Sequence, residues 1–153
     1  MMNIFSKTKE TDYTIIIGCG RLGASLANML SDNGTDVLML DKDEAAFRKL
    51  SSSYGGLTLE GDARDISTLR EAGIEKAKVV VSVTNDDNTN IMVAQIAKEL
   101  YQIPYVVCRL YDPERECVYH EFEINTICPA VLSANEINKL LGSSVYHMEA
   151  QRA

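Results

Sequence analysis

Gly18, Gly20 and Gly23 fall in the spacing G-x-G-x-x-G within Gly18-Cys19-Gly20-Arg21-Leu22-Gly23. That spacing suits the binding of a diphosphate rather than the movement of a proton. Gly18 permits a tight turn, Gly20 has no Cβ to hold a diphosphate away from the backbone, and Gly23 allows close helix–strand packing. The N–H groups and positive dipole of the following helix then meet the anion. A glycine-rich turn with no ligand is the competing reading, and context decides against it. The apolar run Ile15-Ile16-Ile17 precedes the glycines, and an amphipathic segment with Leu22, Leu26, Met29 and Leu30 follows. A second apolar run then ends in Asp41, about twenty residues on, where an acid is expected to accept both ribose hydroxyls. Asp41 would repel a 2′-phosphate, which disfavours NADP, although Lys42 beside it works the other way. Its alternative role is the N-cap of the next helix.

Other polar residues stand where strands are expected to end. Asp62 could accept from the exocyclic amine of adenine and the Ala63 N–H could donate to a ring nitrogen, or Asp62 is a solvated turn residue. Thr84, Asn85 and Asp86 border the expected diphosphate crevice, with a plain helix cap as the alternative. Asp86-x-Asn88-x-Asn90 resembles a calcium loop only loosely, because Ile91 and Ala97 replace the required Gly and Glu. Arg21 and Arg109 could each meet phosphate oxygens bidentately, and Arg109 is equally suited to pairing with a carboxylate. Cys19, Cys108, Cys117 and Cys128 form no C-x-x-C, and His120 and His147 do not complete a ligand set, so no metal site is expected. Cys108 and Cys128 read as buried small hydrophobes. Cys19 lies in the glycine loop, where exposure is expected, but without a base to activate it. No Tyr-x-x-x-Lys pair or other catalytic constellation is present.

These residues need a scaffold that gathers strand ends. Strands are predicted at Tyr13–Ile17, Val37–Leu40, Leu57–Glu60, Lys78–Val83, Tyr105–Cys108 and Thr126–Cys128. Helices are predicted at Arg21–Asp32, Glu44–Ser52, Ile66–Ala72, Asp86–Tyr101, Glu114–Phe122 and Val131–Leu141, with Asn33-Gly34, Gly73 and Gly142 as stops. This alternation predicts an α/β, doubly wound Rossmann fold with a parallel six-stranded sheet in the order 3-2-1-4-5-6. Residues 13–142 form the domain, with tails at 1–12 and 143–153. The chain reverses across the sheet between strands 1 and 4, so the crevice should open over their C-terminal ends.

The bulk properties narrow the function classes. A chain of 153 residues suffices for one core. Hydrophobic residues at 46% and charged residues at 24% are ordinary for a globular protein. A net charge of -7 argues against a nucleic-acid surface. No apolar run approaches the roughly 20 residues of a membrane span, and residues 1–10 are too polar for a signal peptide. A cytoplasmic protein is expected.

The stretches GCGRLGASLA, VLMLDKD, GDA, VVVSVTNDDNTN and VVCRLYDPE, in this order over about Tyr13 to Leu141, resemble the RCK N-terminal (TrkA-N, or KTN) domain of Trk/Ktr-type potassium-uptake regulators. The resemblance implies a regulatory subunit that assembles as dimers into a ring beneath a membrane potassium channel or transporter, peripheral to the inner face of the membrane. It implies binding of ATP, ADP, AMP or NAD(H), with nucleotide exchange controlling gating, and no chemistry. Carried over, Gly18, Gly20, Arg21, Leu22 and Gly23, with Cys19 in the same loop, hold phosphates. Asp41, beside Lys42, holds ribose; Asp62 and Ala63 hold adenine; Thr84, Asn85 and Asp86 line the phosphate or distal-nucleoside side; Arg109 stands by the pocket. Arg21 is the candidate γ-phosphate sensor near a subunit contact. Family members commonly carry a C-terminal ligand-sensing domain, whereas this sequence runs only a short way past its sixth unit. The chain is therefore expected to be a stand-alone domain, working with a separately encoded RCK partner, or a truncated piece. A small NAD-dependent oxidoreductase is the alternative from another class, and a thiol sensor using Cys19 a third.

Overall fold

Three consecutive isoleucines with almost no solvent exposure, Ile15, Ile16 and Ile17, lie at the centre of the sheet. A strand covered on both faces must be apolar at every position, which is why the run shows no alternation. The computed structural model describes residues 12–115 and 122–152, with side chains as far as residue 142. Nearly all of the expected N-terminal tail, most of the expected helix Glu114–Phe122, Cys117, His120 and the His147 side chain lie outside the described residues.

The strands are β1 (Thr14–Ile17), β2 (Val37–Asp41), β3 (Leu57–Glu60), β4 (Val79–Ser82), β5 (Tyr105–Arg109) and β6 (Asn125–Ile127). They form one sheet in the order β3-β2-β1-β4-β5-β6, parallel throughout, as expected. Ile17 pairs with Leu40 on one side and with Ser82 on the other. The residues after β1, β2 and β4 therefore emerge along one edge. Helix α1 (Arg21–Asp32) covers the face that carries Ile16, Met39 and Val81. Helices α2 (Ile66–Glu71) and α3 (Asp87–Gln95) cover the face that carries Ile15, Ile17 and Val80.

Helix α1 ends where expected. Gly34 adopts φ +81°, and the N–H groups of Gly34 and Thr35 donate to the carbonyls of Ser31 and Leu30 at 3.0 Å each, a Schellman closure. Three expectations fail. The second helix is only a 3-10 turn, Glu44–Lys49. It stops at Leu50, whose backbone is extended (φ -69°, ψ 141°), and beyond it the Ser51 N–H bonds to the Asn28 side chain and not to a carbonyl one turn back. Helix α3 widens into a π turn, Ile96–Leu100, before β5. Finally α4 (Pro129–Arg152) runs straight through Gly142, so residues 143–152 are helix rather than an unpatterned tail. Gly142 does not take the left-handed conformation that closes a helix. A glycine without that geometry costs an interior turn only about 1 kcal/mol. No described helix is long and apolar enough to cross a membrane.

Candidate functional site

The chain reverses between β1 and β4, and at that point a cleft of about 380 Å³ opens over the strand ends. It is lined by the loops after β1, β2, β3 and β4. Ten of the sequence-predicted residues meet there: Gly18, Cys19, Gly20, Asp41, Lys42, Asp62, Ala63, Thr84, Asn85 and Asp86. Arg21, Leu22, Gly23 and Arg109 do not line it. Arg21 is exposed, Leu22 packs into the core, and Gly23 is buried.

The glycine loop is built around two backbone contacts and one open space. Gly18 has φ +102°, and its N–H donates to the Leu40 carbonyl at 2.8 Å. A Cβ on Gly23 would lie 1.9 Å from the Gly18 carbonyl oxygen, so only glycine allows α1 to start this close to β1. Gly20 differs. Its backbone is extended (φ -80°, ψ -170°), which any residue adopts, and a Cβ there would meet nothing within 4 Å. The fold itself does not require glycine at this position; the open space belongs to the cleft. Gly20 is also the N-cap of α1, which has no side-chain cap and no acid in its first turn. A helix start of this kind presents unpaired N–H groups and a positive dipole, which is chemically suited to an anion.

Cys19 is buried rather than exposed, which overturns the sequence expectation. Its thiol donates to the Ala46 carbonyl at 3.3 Å, and burial, then the Asp41 charge, push its pKa up. A protonated, enclosed thiol is a poor nucleophile.

Asp41 holds the loop edge together. One carboxylate oxygen accepts from the Cys19 N–H at 2.7 Å and the other from the Asp43 N–H at 2.8 Å. A carboxylate has about four lone-pair positions, so two hydroxyls can still be accepted. The helix cap that Asp41 might have been is supplied by Asp43, which accepts from the Ala45 N–H at 3.0 Å.

After β3, Asp62 is engaged by a neighbour absent from the sequence prediction. Arg64 donates to it from its backbone N–H at 2.9 Å, from Nε at 3.0 Å and from Nη2 at 2.7 Å. These bonds hold the Asp62 carboxyl down at about 2.

The β4 side is closed upon itself. Asn90, fully buried, accepts from the Ser82 hydroxyl, the Thr84 N–H and the Thr84 hydroxyl, and donates to the carbonyls of Thr84 and Arg109. Asp86 is the N-cap of α3 and accepts from the N–H groups of Asn88 and Thr89 and from the Thr89 hydroxyl. Its carboxyl pKa is lowered, first by the Thr89 hydroxyl. Arg109 braces this loop rather than facing the cleft: Nη2 donates to the Thr84 carbonyl, Asn85 Oδ1 and the Tyr111 hydroxyl, and the guanidinium lies 4.7 Å from the Tyr111 ring centre.

Sequence reasoning missed Asn90, Lys49 and Arg64. Lys49 and Arg64 line the cleft beside the predicted residues. Their signal was proximity to Asp41 and Asp62 in the chain. Asn90 stood in view within the TNDDNTN run, and its role became visible only once β4 and β5 were adjacent. Among the described residues no three His, Cys, Asp or Glu side chains gather as a metal site.

Residues 14–129 match the family model of the TrkA-N domain. The Trk system potassium uptake protein TrkA of Streptomyces coelicolor is 40% identical over 129 residues, which make up 84% of this chain and 58% of that protein. The chain thus spans less than two thirds of that relative. Among solved structures, a GsuK channel bound to NAD superposes with a TM-score of 0.76 at 27% identity, over 88% of this chain and 24% of that one. GsuK bound to ADP superposes with a TM-score of 0.75 at 28% identity, over 90% of this chain and 35% of that one.

Proposed function

The chain belongs to the TrkA-N domain family, and from that premise we propose that it is a nucleotide-binding regulatory domain of a potassium uptake system. The observation that carries this is the start of α1: an uncapped helix end, opening at Gly20 into a cleft that also presents Asp41. The likeness to channels solved with NAD and with ADP supports a ligand with an adenosine half. The residues present fit one. The first N–H groups of α1 and the Gly20 space receive phosphate. Asp41 receives ribose hydroxyls and disfavours a 2′-phosphate, hence NADP. The Asp62–Ala63 corner receives the base. Thr84, Asn85 and Asp86 form the wall beyond the phosphates. Arg21, exposed at the first turn, is free to meet a terminal phosphate or a second copy of the chain.

The domain works by linkage and not by chemistry. A ligand shifts an assembly only by binding one of its conformations better than another. The assembly we propose is a homo-oligomer on the inner face of the membrane, docked on a potassium channel or transporter, with a separately encoded RCK chain as a possible companion. A small NAD-dependent oxidoreductase would need a proton donor beside the cleft. Among the described residues that line the cleft there is no tyrosine or histidine to pair with its lysines as a proton relay, and its acids are held by backbone N–H groups or by Arg64, which suits binding without turnover.

The test is a calorimetric titration with ATP, ADP, AMP, NAD and NADH, with oligomer mass recorded for each. Saturable binding that differs among them and changes the mass supports the proposal. Binding to none of them, or steady oxidation of NADH with a substrate, overturns it.

A further inference from the structure

Arg64 is placed unlike the other cations of the cleft. Lys42 and Lys49 stand on the β2 side with Asp41, whereas Arg64 follows β3 and carries a planar fork of donors. Its side chain is 58% exposed, and among the described residues its ion pair is with Asp62, two positions back and 34% exposed. An exposed pair between near neighbours contributes little to stability, so the fold does not need it. Asp86, the α3 cap on the opposite side of the cleft, and Asp65 both act on the Arg64 charge. Arg64 lines the same cleft as Gly20, Thr84 and Asp86, so the guanidinium is a cation facing the space that would hold the phosphates, parked on the carboxylate suited to the base amine. Its Nε and Nη2 and its backbone N–H together take most of the lone pairs of Asp62.

We infer that Arg64 is a phosphate-reading residue held in reserve by Asp62, and that a nucleoside phosphate exchanges the pair. The guanidinium leaves Asp62 for phosphate oxygens, and the freed carboxylate accepts the exocyclic amine of adenine. A phosphate offers the fork a bidentate partner of greater charge than one carboxylate. The exchange ties recognition of the base to the presence of phosphate: adenosine alone meets an Asp62 still occupied by Arg64. The inference rests on the nucleotide-binding proposal and names which end of the ligand this residue reads.

The experiment measures adenosine, AMP and ADP affinities for the wild-type chain, Arg64→Ala, Arg64→Lys and Asp62→Asn, with folding checked by thermal melting. The expected result is that Arg64→Ala weakens AMP and ADP at least tenfold while adenosine binds equally or more tightly, so that selectivity for phosphate collapses. Arg64→Lys keeps part of that selectivity, and Asp62→Asn weakens AMP and ADP while leaving adenosine, which does not reach the occupied carboxylate, almost unchanged. Wild-type binding of ADP with equal losses for all three ligands in Arg64→Ala overturns the exchange and leaves the nucleotide proposal standing. Failure of the wild-type chain to bind ADP or AMP overturns both.

Discussion

Two helices begin at the cleft, and they begin in opposite ways. Helix α1 follows β1, helix α3 follows β4, and the two strands are neighbours in the sheet. Both bring a positive helix end to the same crevice. At α3 that end is neutralised from within, with Asp86 as cap, Asp87 in the first turn, and Asn90 bonded to both β4 and β5 loops. At α1 the cap is a glycine with no side chain to give, and no acid follows. The fold thus leaves one helix end uncapped and caps the other from within. On the proposed reading an anionic group goes to the α1 end, and the bonded β4 loop defines the far side.

Substitutions at the two helix starts should have different effects. Gly23→Ala forces a Cβ into the Gly18 carbonyl, so we expect a loss of about 3 kcal/mol or more and loss of nucleotide binding, read by chemical denaturation and calorimetry. Asn90→Ala strands buried partners on β4 and β5, and a loss of about 2–3 kcal/mol is expected from unsatisfied buried groups. Near-neutral stability of that variant would mean the wall is not held by Asn90. Gly20→Ala sharpens the contrast: stability should change by less than about 1 kcal/mol, because the added methyl meets no protein atom. ADP affinity should nonetheless fall tenfold or more, about 1.4 kcal/mol. Asp86→Ala should cost about 1 kcal/mol of stability as a lost cap and alter ADP affinity less than Gly20→Ala does.

The smallest effect is the response to acid. Asp62 has its folded pKa lowered from 3.8 to about 2, so its stabilising contribution is complete above pH 4 or so and is lost as pH falls toward about 2. The pair is exposed and the contribution correspondingly small. Replacing Arg64 with Ala should flatten that part of the stability curve, and an NMR titration of the Asp62 carboxyl should move back toward the ordinary aspartate range.

Most of the fold was legible from local pattern. The apolar runs of β1 and β4, the glycine spacing and the Asn33-Gly34 stop each act over a few residues. Legibility failed where local signals were weak or cancelled: the 3-10 turn Glu44–Lys49, the π turn Ile96–Leu100, and α4 beyond Gly142. At the site, residue types at strand ends were readable, but not which of them had free capacity. Arg109 was open between a phosphate contact and a carboxylate pair, and its side chain braces the Thr84–Asn85 loop instead. Cys19 looked exposed and proved buried.

The order of elements, the crossover point and hence the place of the cleft follow from local pattern, because periodicity and glycine geometry are properties of short stretches. Which polar groups there are already bonded depends on long-range contacts. Asp41 meets the Cys19 N–H across 22 positions of chain, and Asn90 meets the Arg109 carbonyl across 19. A donor or acceptor has a limited number of bonds to make. Whether one is left for a ligand depends on neighbours that only folding brings together.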